Sequence, residues 1–393
     1  MRRTRHVIQG LFLALIVAGV FVFRRNLEVW CPFGGVECLS LYLRDGKMLC
    51  ALGASNFFIL AAILLLTLGL KRVFCGYMCP LGTLAEWMRC LARRWGIRPL
   101  EPSAKVNRIL SWVPILLLVA VLWWTFAATE LIVRPADPCF ALIGTGTNEE
   151  VPWTACGVLG LLIVGSLLVS MPFCRWICPL GAVLNGVSRL GLTRIHRNTS
   201  TCVDCGRCSK ACPMGIEVAQ RVRVTEARCL ACGECVQACP VKPAPALDYR
   251  FLNHGPMRHP HGWIAVSVAL CVALAVTAAY AIPLPTFMHA RDLDRPATVA
   301  ECSLHIEGVT CSGSARQLIL FLDRDDAFAV PGYLKVLTSP GPGFVKVRLQ
   351  YDPARTDPSA LVSALVEPYY DRVEARWRPS PFQVEGYDPL AGF

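Results

Sequence analysis

Two cysteine-rich runs with the same spacing constrain this chain more than any other feature. Each reads C-x2-C-x2-C-x3-C-P, at residues 202–213 and again at residues 229–240. Bacterial ferredoxins use this spacing for a pair of [4Fe–4S] clusters, because the fourth cysteine of each run binds the cluster of the other run. A zinc site or disulfides are the alternatives. Zinc takes four ligands, commonly in two pairs, which a doubled eight-cysteine run with prolines fits poorly.

The spacing predicts two sets of cluster ligands. The members of the first set are Cys202, Cys205, Cys208 and Cys239. The members of the second set are Cys229, Cys232, Cys235 and Cys212. Thiolates persist in a reducing compartment, so this segment is predicted to face the cytoplasm.

The composition indicates a membrane protein. Hydrophobic residues make up 54% of the chain and charged residues only 17%, whereas soluble domains contain about 25% charged residues. Five apolar stretches are long enough to predict transmembrane helices, near residues 7–23, 55–70, 109–128, 153–172 and 263–282. The first lacks a small-residue cleavage site and predicts an uncleaved signal anchor. The net charge of +11 is explained by the loops, so we predict no nucleic-acid partner.

The charges of these loops predict the orientation of the chain. Residues 71–108 contain eight Lys or Arg and residues 173–262 contain twelve, whereas residues 24–55 contain four and residues 129–152 only Arg134. By the positive-inside rule, the N-terminus and the ferredoxin segment face the cytoplasm of an inner membrane. The residues after the fifth span are then extracytoplasmic.

A shorter motif, C-x3-C-P-L-G, occurs twice with an offset of 99 residues. Its cysteines are Cys75 and Cys79 in one copy and Cys174 and Cys178 in the other. Proline suits the first position of a helix, so Cys79 and Cys178 are predicted N-caps with lowered pKa values. The four sulfurs are predicted to converge on a further metal centre or to form redox disulfides. Simple packing is the alternative.

Other cysteines are predicted to pack or to form an outer disulfide rather than to bind a cofactor. Those expected on the outer side are Cys31, Cys38, Cys50, Cys139 and Cys156. Cys31 and Cys139 are the candidates for an exception to this prediction, because they fall at equivalent positions of the repeat.

Together these motifs resemble the membrane polyferredoxins of the NapH, NosR and CcoG types, over roughly residues 7–250. The resemblance implies one-electron transfer between membrane-associated and soluble redox partners, with cluster ligands at the eight positions above. It implies quinol or a cytoplasmic protein as donor, and an electron-transfer component or quinol-dehydrogenase subunit as the role. A redox-driven assembly factor for an outer copper enzyme and a redox sensor are the alternatives.

Residues 297–377 predict a βαββαβ order that resembles the heavy-metal-associated domain. That family has a C-x-x-C pair where this chain has only Cys311. Cys302 is the candidate second sulfur, as a metal ligand or as a disulfide partner. A docking domain without metal is an equal alternative. Residues 379–393 are predicted to form an extended tail.

The predicted fold is a mostly α membrane protein, with five transmembrane helices in two repeated hairpins plus one. The predicted domains are a four-helix membrane region with the C-x3-C-P repeats (1–197), a double [4Fe–4S] ferredoxin domain (198–250), the fifth helix (251–285) and an extracytoplasmic α/β domain with a tail (286–393).

Overall fold

The computed structural model is mostly helical. It describes residues 2–22, 31–45, 55–128, 134–143, 151–241, 246–252, 255–257, 260–282, 287–291, 298–310, 312–341, 343–371 and 376–387. Cys50 and Cys311 therefore lie outside the described residues. The described part separates into two units, Met1–Glu37 with Ser55–Ala278 and Cys38–Ala54 with Ala279–Phe393.

The helices before the ferredoxin segment are α1 (Arg2–Val17, followed by a π-helical turn at Ala18–Val22), α2 (Pro32–Asp45), α3 (Ser55–Leu70), α4 (Val73–Tyr77), α5 (Pro80–Arg94), α6 (Ala104–Leu110), α7 (Val113–Ala128), α8 (Pro138–Ile143), α9 (Trp153–Leu168), α10 (Pro172–Trp176) and α11 (Pro179–Ser188). The later helices are α12 (Arg207–Lys210), α13 (Glu234–Gln237), α14 (Pro260–Ala281), α15 (Ser312–Leu322) and α16 (Pro358–Val366).

Within the described ranges, three helical stretches are long and apolar enough to cross a bilayer. They are Thr4–Val22, Lys105–Ala127 and Pro260–Ala279. Two further apolar helices, α3 and α9, have 16 residues each. At 1.5 Å per residue each is about 24 Å long, shorter than the roughly 30 Å hydrocarbon core of a bilayer. The four helices that start with proline after or beside a cysteine, α2, α5, α8 and α11, complete this bundle.

The ferredoxin segment is supported by a small antiparallel sheet. Its strands are β1 (Thr193–Arg197), β2 (Arg223–Val224) and β3 (Leu247–Phe251), in the order β2-β1-β3. Ile195 pairs with both outer strands and is buried, so apolar contacts beneath the cysteine loops anchor them.

The second unit contains a five-stranded antiparallel sheet. Its strands are β4 (Phe287–Ala290), β5 (Ala300–Glu307), β6 (Tyr333–Thr338), β7 (Val345–Tyr351) and β10 (Gln383–Val384), in the order β10-β5-β7-β6-β4. Helices α15 and α16 supply Leu318 and Leu361 to its core. Strands β8 (Tyr369–Asp371) and β9 (Arg376–Arg378) form a separate pair.

The end of this unit differs from the sequence prediction. The predicted last strand ran to Trp377, but Arg376–Arg378 pairs only with Tyr369–Asp371, and residues 372–375 lie outside the described residues. The sheet edge is β10, inside the stretch predicted as a tail. The reason is burial: Phe382 is 1% exposed and packs in the core of the unit.

Candidate functional site

The eight cysteines of the ferredoxin runs line two separate cavities. One cavity is bordered by Cys202, Cys205, Cys208 and Cys239. The other is bordered by Cys212, Cys229, Cys232 and Cys235. The fourth cysteine of each run thus lies with the first three of the other run.

Backbone conformation shapes these loops around their cavities. Asp204 and Gly206 in the first run, and Ala231 and Gly233 in the second, all have φ between 48° and 76°. These left-handed residues turn successive N–H groups towards one side, which favours binding of an anion. Glycine is the residue best suited to this conformation, and in both runs it caps a four-residue helix.

The two sets differ in the exposure of one ligand. Cys205 of the first set is exposed, whereas Cys208 and Cys239 of that set are as buried, at 8%, as Cys229 and Cys232 of the second. Burial raises the pKa of Cys229 to about 11 and that of Cys232 to about 12. These thiols are protonated at neutral pH when no metal is bound, so binding of iron must release protons.

The buried ferredoxin set touches both C-x3-C-P loops. The N–H of Arg72 donates to the carbonyl of Cys229 at 3.2 Å. Leu230 packs on Gly76, where an added Cβ would lie 3.4 Å from the Leu230 Cβ. In the second loop, the guanidinium of Arg175 lies so close to Gly215 that no Cβ fits between them. The ferredoxin segment is therefore docked on the membrane helices through its buried cavity.

The structure brings together the four cysteines of the C-x3-C-P motifs. Cys75, Cys79, Cys174 and Cys178 are all close enough for their charges to interact pairwise. The guanidinium of Arg72 lies beside them, and its Nη2 donates to the Cys75 sulfur at 3.5 Å.

Cys79 and Cys178 are N-caps as predicted from the following prolines. The prediction that their pKa values fall is wrong. Burial raises the pKa of Cys178 to about 12 and also raises that of Cys79, because desolvation outweighs the hydrogen bonds from the backbone of Gly181 and Gly82.

Cys31 and Cys139, predicted to be scattered on the outer side, do not lie apart from the C-x3-C-P cysteines. Both line one apolar cavity of about 620 Å³ that Cys79 and Cys178 border as well. The physical reason is that Pro32 and Pro138, the first residues of α2 and α8, line the same cavity. Cys31, Cys139 and Cys156 are free thiols.

The start of α1 forms a polar network. The sequence predicted only the positive charge of this region and not its contacts. Arg5 is 1% exposed and forms ion pairs with Glu86 of α5 and Glu234 of α13. Its Nε donates to the carbonyl of Gly76 at 3.1 Å. A single side chain thus joins the N-terminal helix, the first C-x3-C-P loop and the ferredoxin segment. Its sequence signal was only an arginine next to an apolar helix.

The start of α14 lies at the same place. His261 Nδ1 is 2.8 Å from the Tyr77 hydroxyl, and the Tyr249 hydroxyl donates to the carbonyl of Ala231 at 2.9 Å. The Tyr249 and His261 rings meet edge to face. Both α1 and α14 therefore begin beside the ferredoxin segment.

Of the two sulfurs predicted in the C-terminal unit, Cys302 is half-buried on β5, opposite Leu349 of β7. Cys311 lies outside the described residues. Over the described parts of the chain, no three His, Cys, Asp or Glu side chains are close enough together to hold one metal ion. The sulfurs around the two ferredoxin cavities are also too far apart to hold one ion. They can still hold a [4Fe–4S] cubane, because the cubane lies between its ligands.

Family models match the segments that carry these cysteines. A 4Fe-4S binding domain matches residues 52–98 and again residues 151–198, one match for each C-x3-C-P motif. A 4Fe-4S dicluster domain matches residues 194–240. The chain thus carries 4Fe–4S cluster-binding domains.

Several curated proteins are similar to this chain. YccM of Escherichia coli (strain K12) is 30% identical over 214 residues, which are 51% of this chain and 57% of YccM. Uncharacterized protein MJ0750 of Methanocaldococcus jannaschii is 31% identical over 204 residues, 51% of this chain and 80% of that protein. The ferredoxin-type protein NapH of E. coli is 29% identical over 144 residues, covering 36% of this chain and 48% of NapH. No solved structure matches.

Proposed function

Because the chain belongs to a membrane polyferredoxin-type family of 4Fe-4S proteins, we propose that it passes single electrons between a soluble partner protein and the membrane. The observation that carries this proposal is the position of the two cysteine sets. The first set reaches solvent at Cys205, and the run that supplies most of the second set contacts the C-x3-C-P loops. A soluble partner reaches one end of this path, and the membrane helices form the other.

In this proposal each set holds one [4Fe–4S] cluster. Cys202, Cys205, Cys208 and Cys239 bind the exposed cluster, and Cys212, Cys229, Cys232 and Cys235 bind the buried one. The backbone N–H groups of Ala231 and Glu234 reach the sulfurs of Cys229 and Cys232 and would stabilise the negative charge of these thiolate ligands. Such hydrogen bonds are among the factors that set the reduction potential of a cluster.

The proposed location is the inner, cytoplasmic membrane, with five spans. The three long apolar helices and the shorter α3 and α9 supply these spans. The charged start of α1 and the ferredoxin segment share the cytoplasmic side, since Arg5 joins them. Helix α14 starts on that side and has 22 residues, about 33 Å at 1.5 Å per residue, which is enough to cross. The residues that follow are then extracytoplasmic and form a domain for docking a partner.

The donor is proposed to be quinol or a cytoplasmic redox protein. In anaerobic membranes that contain the full chain, we expect the clusters to be reduced by at least one of two probes, a reduced quinone analogue or a soluble reduced ferredoxin. Reduction is followed by low-temperature EPR. Reduction by quinol shows that electrons enter through the membrane helices. Reduction by the soluble donor alone shows entry at the exposed cluster. Failure of both probes contradicts the proposed function.

A further inference from the structure

Cysteine side chains form part of the wall of the apolar cavity between the membrane helices. Its volume is about 620 Å³, and helices α1, α3, α7, α9 and α14 all contribute apolar side chains. Four cysteines also border it, Cys31, Cys79, Cys139 and Cys178. Each is next to a proline at the start of a short helix. Two of the four come from each half of the internal repeat.

Polar contacts hold the backbone at Cys31 and Cys139, the two cysteines that the sequence predicted on the outer side. The side-chain amide of Asn56, at the start of α3, donates to the carbonyl of Cys31 at 2.9 Å. Gly35 lies against the Asn56 carbonyl, where an added Cβ would clash. The N–H of Cys139 donates to the Asp137 carboxylate at 2.8 Å. These contacts hold the beginnings of α2 and α8 against the bundle.

The thiols themselves are neighbours. The Cys31 and Cys139 side chains are within hydrogen-bond distance of each other, and the Asp137 carboxylate is close enough to interact electrostatically with Cys139. Cys79 is close enough to act electrostatically on Cys139 and interacts with Cys178 on its other side. The four sulfurs therefore form one continuous group along the cavity wall.

A buried cation lies behind this group. Arg72 is 1% exposed, and its guanidinium donates to the Asn185 amide oxygen at 3.2 Å and to the Cys75 sulfur. Its Nε has no hydrogen-bond partner, and within the described residues no carboxylate lies at ion-pair distance. A buried guanidinium without an anion is strongly unfavourable. The thiols beside it are the groups that can become anionic, and they do so when they bind metal.

The two repeats pack on each other through equivalent positions, but the first repeat has an arginine where the second has a methionine. Arg72 of the first repeat packs against Gly181 of the second, and Met171, which is equivalent to Arg72, packs against Gly82 of the first. The offset is 99 residues in both pairs. The C-x3-C-P loops of the two halves thus contact each other reciprocally.

We propose that Cys31, Cys79, Cys139 and Cys178 bind a third iron–sulfur cluster, of the [4Fe–4S] type, in this cavity. Cys75 and Cys174 do not border the cavity. They lie beside Arg72, whose guanidinium also interacts electrostatically with Cys178 and so favours negative charge on that ligand. This ligand set differs from the one predicted from the C-x3-C-P spacing, because Cys31 and Cys139 replace Cys75 and Cys174. The inference rests on the proposed function, since the cluster would be the membrane end of the same electron path.

Iron analysis of the full chain, purified anaerobically, tests this assignment. Wild-type protein is expected to contain about twelve iron atoms per chain, four for each of three cubanes. The variant Cys31→Ser/Cys139→Ser is expected to contain about eight and to keep the EPR signals of both ferredoxin clusters. Two matched variants, Cys75→Ser/Cys174→Ser and Cys156→Ser/Cys271→Ser, are expected to keep about twelve.

Other outcomes overturn the proposal. If Cys75→Ser/Cys174→Ser loses the third cluster and Cys31→Ser/Cys139→Ser keeps it, the ligand set is wrong. About eight iron atoms in the wild type, with or without a quinone bound in the cavity, shows that no third cluster exists. If the Cys31→Ser/Cys139→Ser variant fails to accumulate, the iron content of the wild type alone decides whether a third cluster exists. Loss of all cluster signals from the wild type would instead count against the two ferredoxin clusters, and so against the proposed function itself.

Discussion

Replacing both Cys232 and Cys235 by alanine is expected to remove about four iron atoms per chain and, if quinol is the donor, to abolish reduction of the exposed cluster by quinol. Both side chains border the buried ferredoxin cavity and are at most 8% exposed. Two missing ligands leave a cubane with only two thiolates, which is too few to hold it. Since residues that line this cavity contact the C-x3-C-P loops, the path should break there.

Iron content and the EPR signal of the exposed cluster check this prediction. A soluble reduced ferredoxin should still reduce the exposed cluster of the variant, because Cys202, Cys205 and Cys208 are intact. Cys271→Ala on α14 is the matched control and should behave as wild type. Quinol-dependent reduction of the exposed cluster at an unchanged rate in the double variant would show that electrons do not pass through the buried set.

Replacing Arg5 by alanine is expected to destabilise the cytoplasmic face by about 3 kcal/mol. Its guanidinium is 1% exposed and is shared by Glu86 and Glu234, whose side chains are 11% and 16% exposed. Removal leaves two largely buried carboxylates without their cation, a larger cost than the loss of the ion pairs themselves. The contact between α1 and the ferredoxin segment should loosen as a result.

Denaturant unfolding in detergent, followed by bleaching of cluster absorbance, measures this effect. The exposed Arg94 provides the control, and Arg94→Ala should change the free energy of unfolding by at most about 0.5 kcal/mol. The triple variant Arg5→Met/Glu86→Gln/Glu234→Gln should recover much of the lost stability, since it leaves no buried charge unpaired. A wild-type unfolding curve for Arg5→Ala would mean that this network does not hold the two parts together.

The cysteine spacing predicted the two ferredoxin sets in detail because that motif is local. Each run supplies three ligands within seven residues, and the structure places the eight cysteines around two cavities in the predicted groups. That each group binds iron stays a prediction. The repeat of C-x3-C-P also predicted that four sulfurs lie together, since two equivalent hairpins present equivalent residues to each other.

The features that sequence could not predict depend on packing between distant segments. Cys31 and Cys139 reach the common cavity because of where α2 and α8 begin, which no local pattern encodes. The pKa of Cys178 rises because of burial, whereas its position as N-cap indicated a fall. Arg5 and Arg72 were interpreted only as loop charge, yet both are buried side chains with specific partners.

Low-temperature EPR of the anaerobically purified, reduced full chain tests the central claim most directly. The account predicts at least about eight iron atoms per chain and two reduced [4Fe–4S] signals split by magnetic coupling between neighbouring clusters. Zinc at the ferredoxin cysteines, with no signal from a reduced cluster, would contradict it.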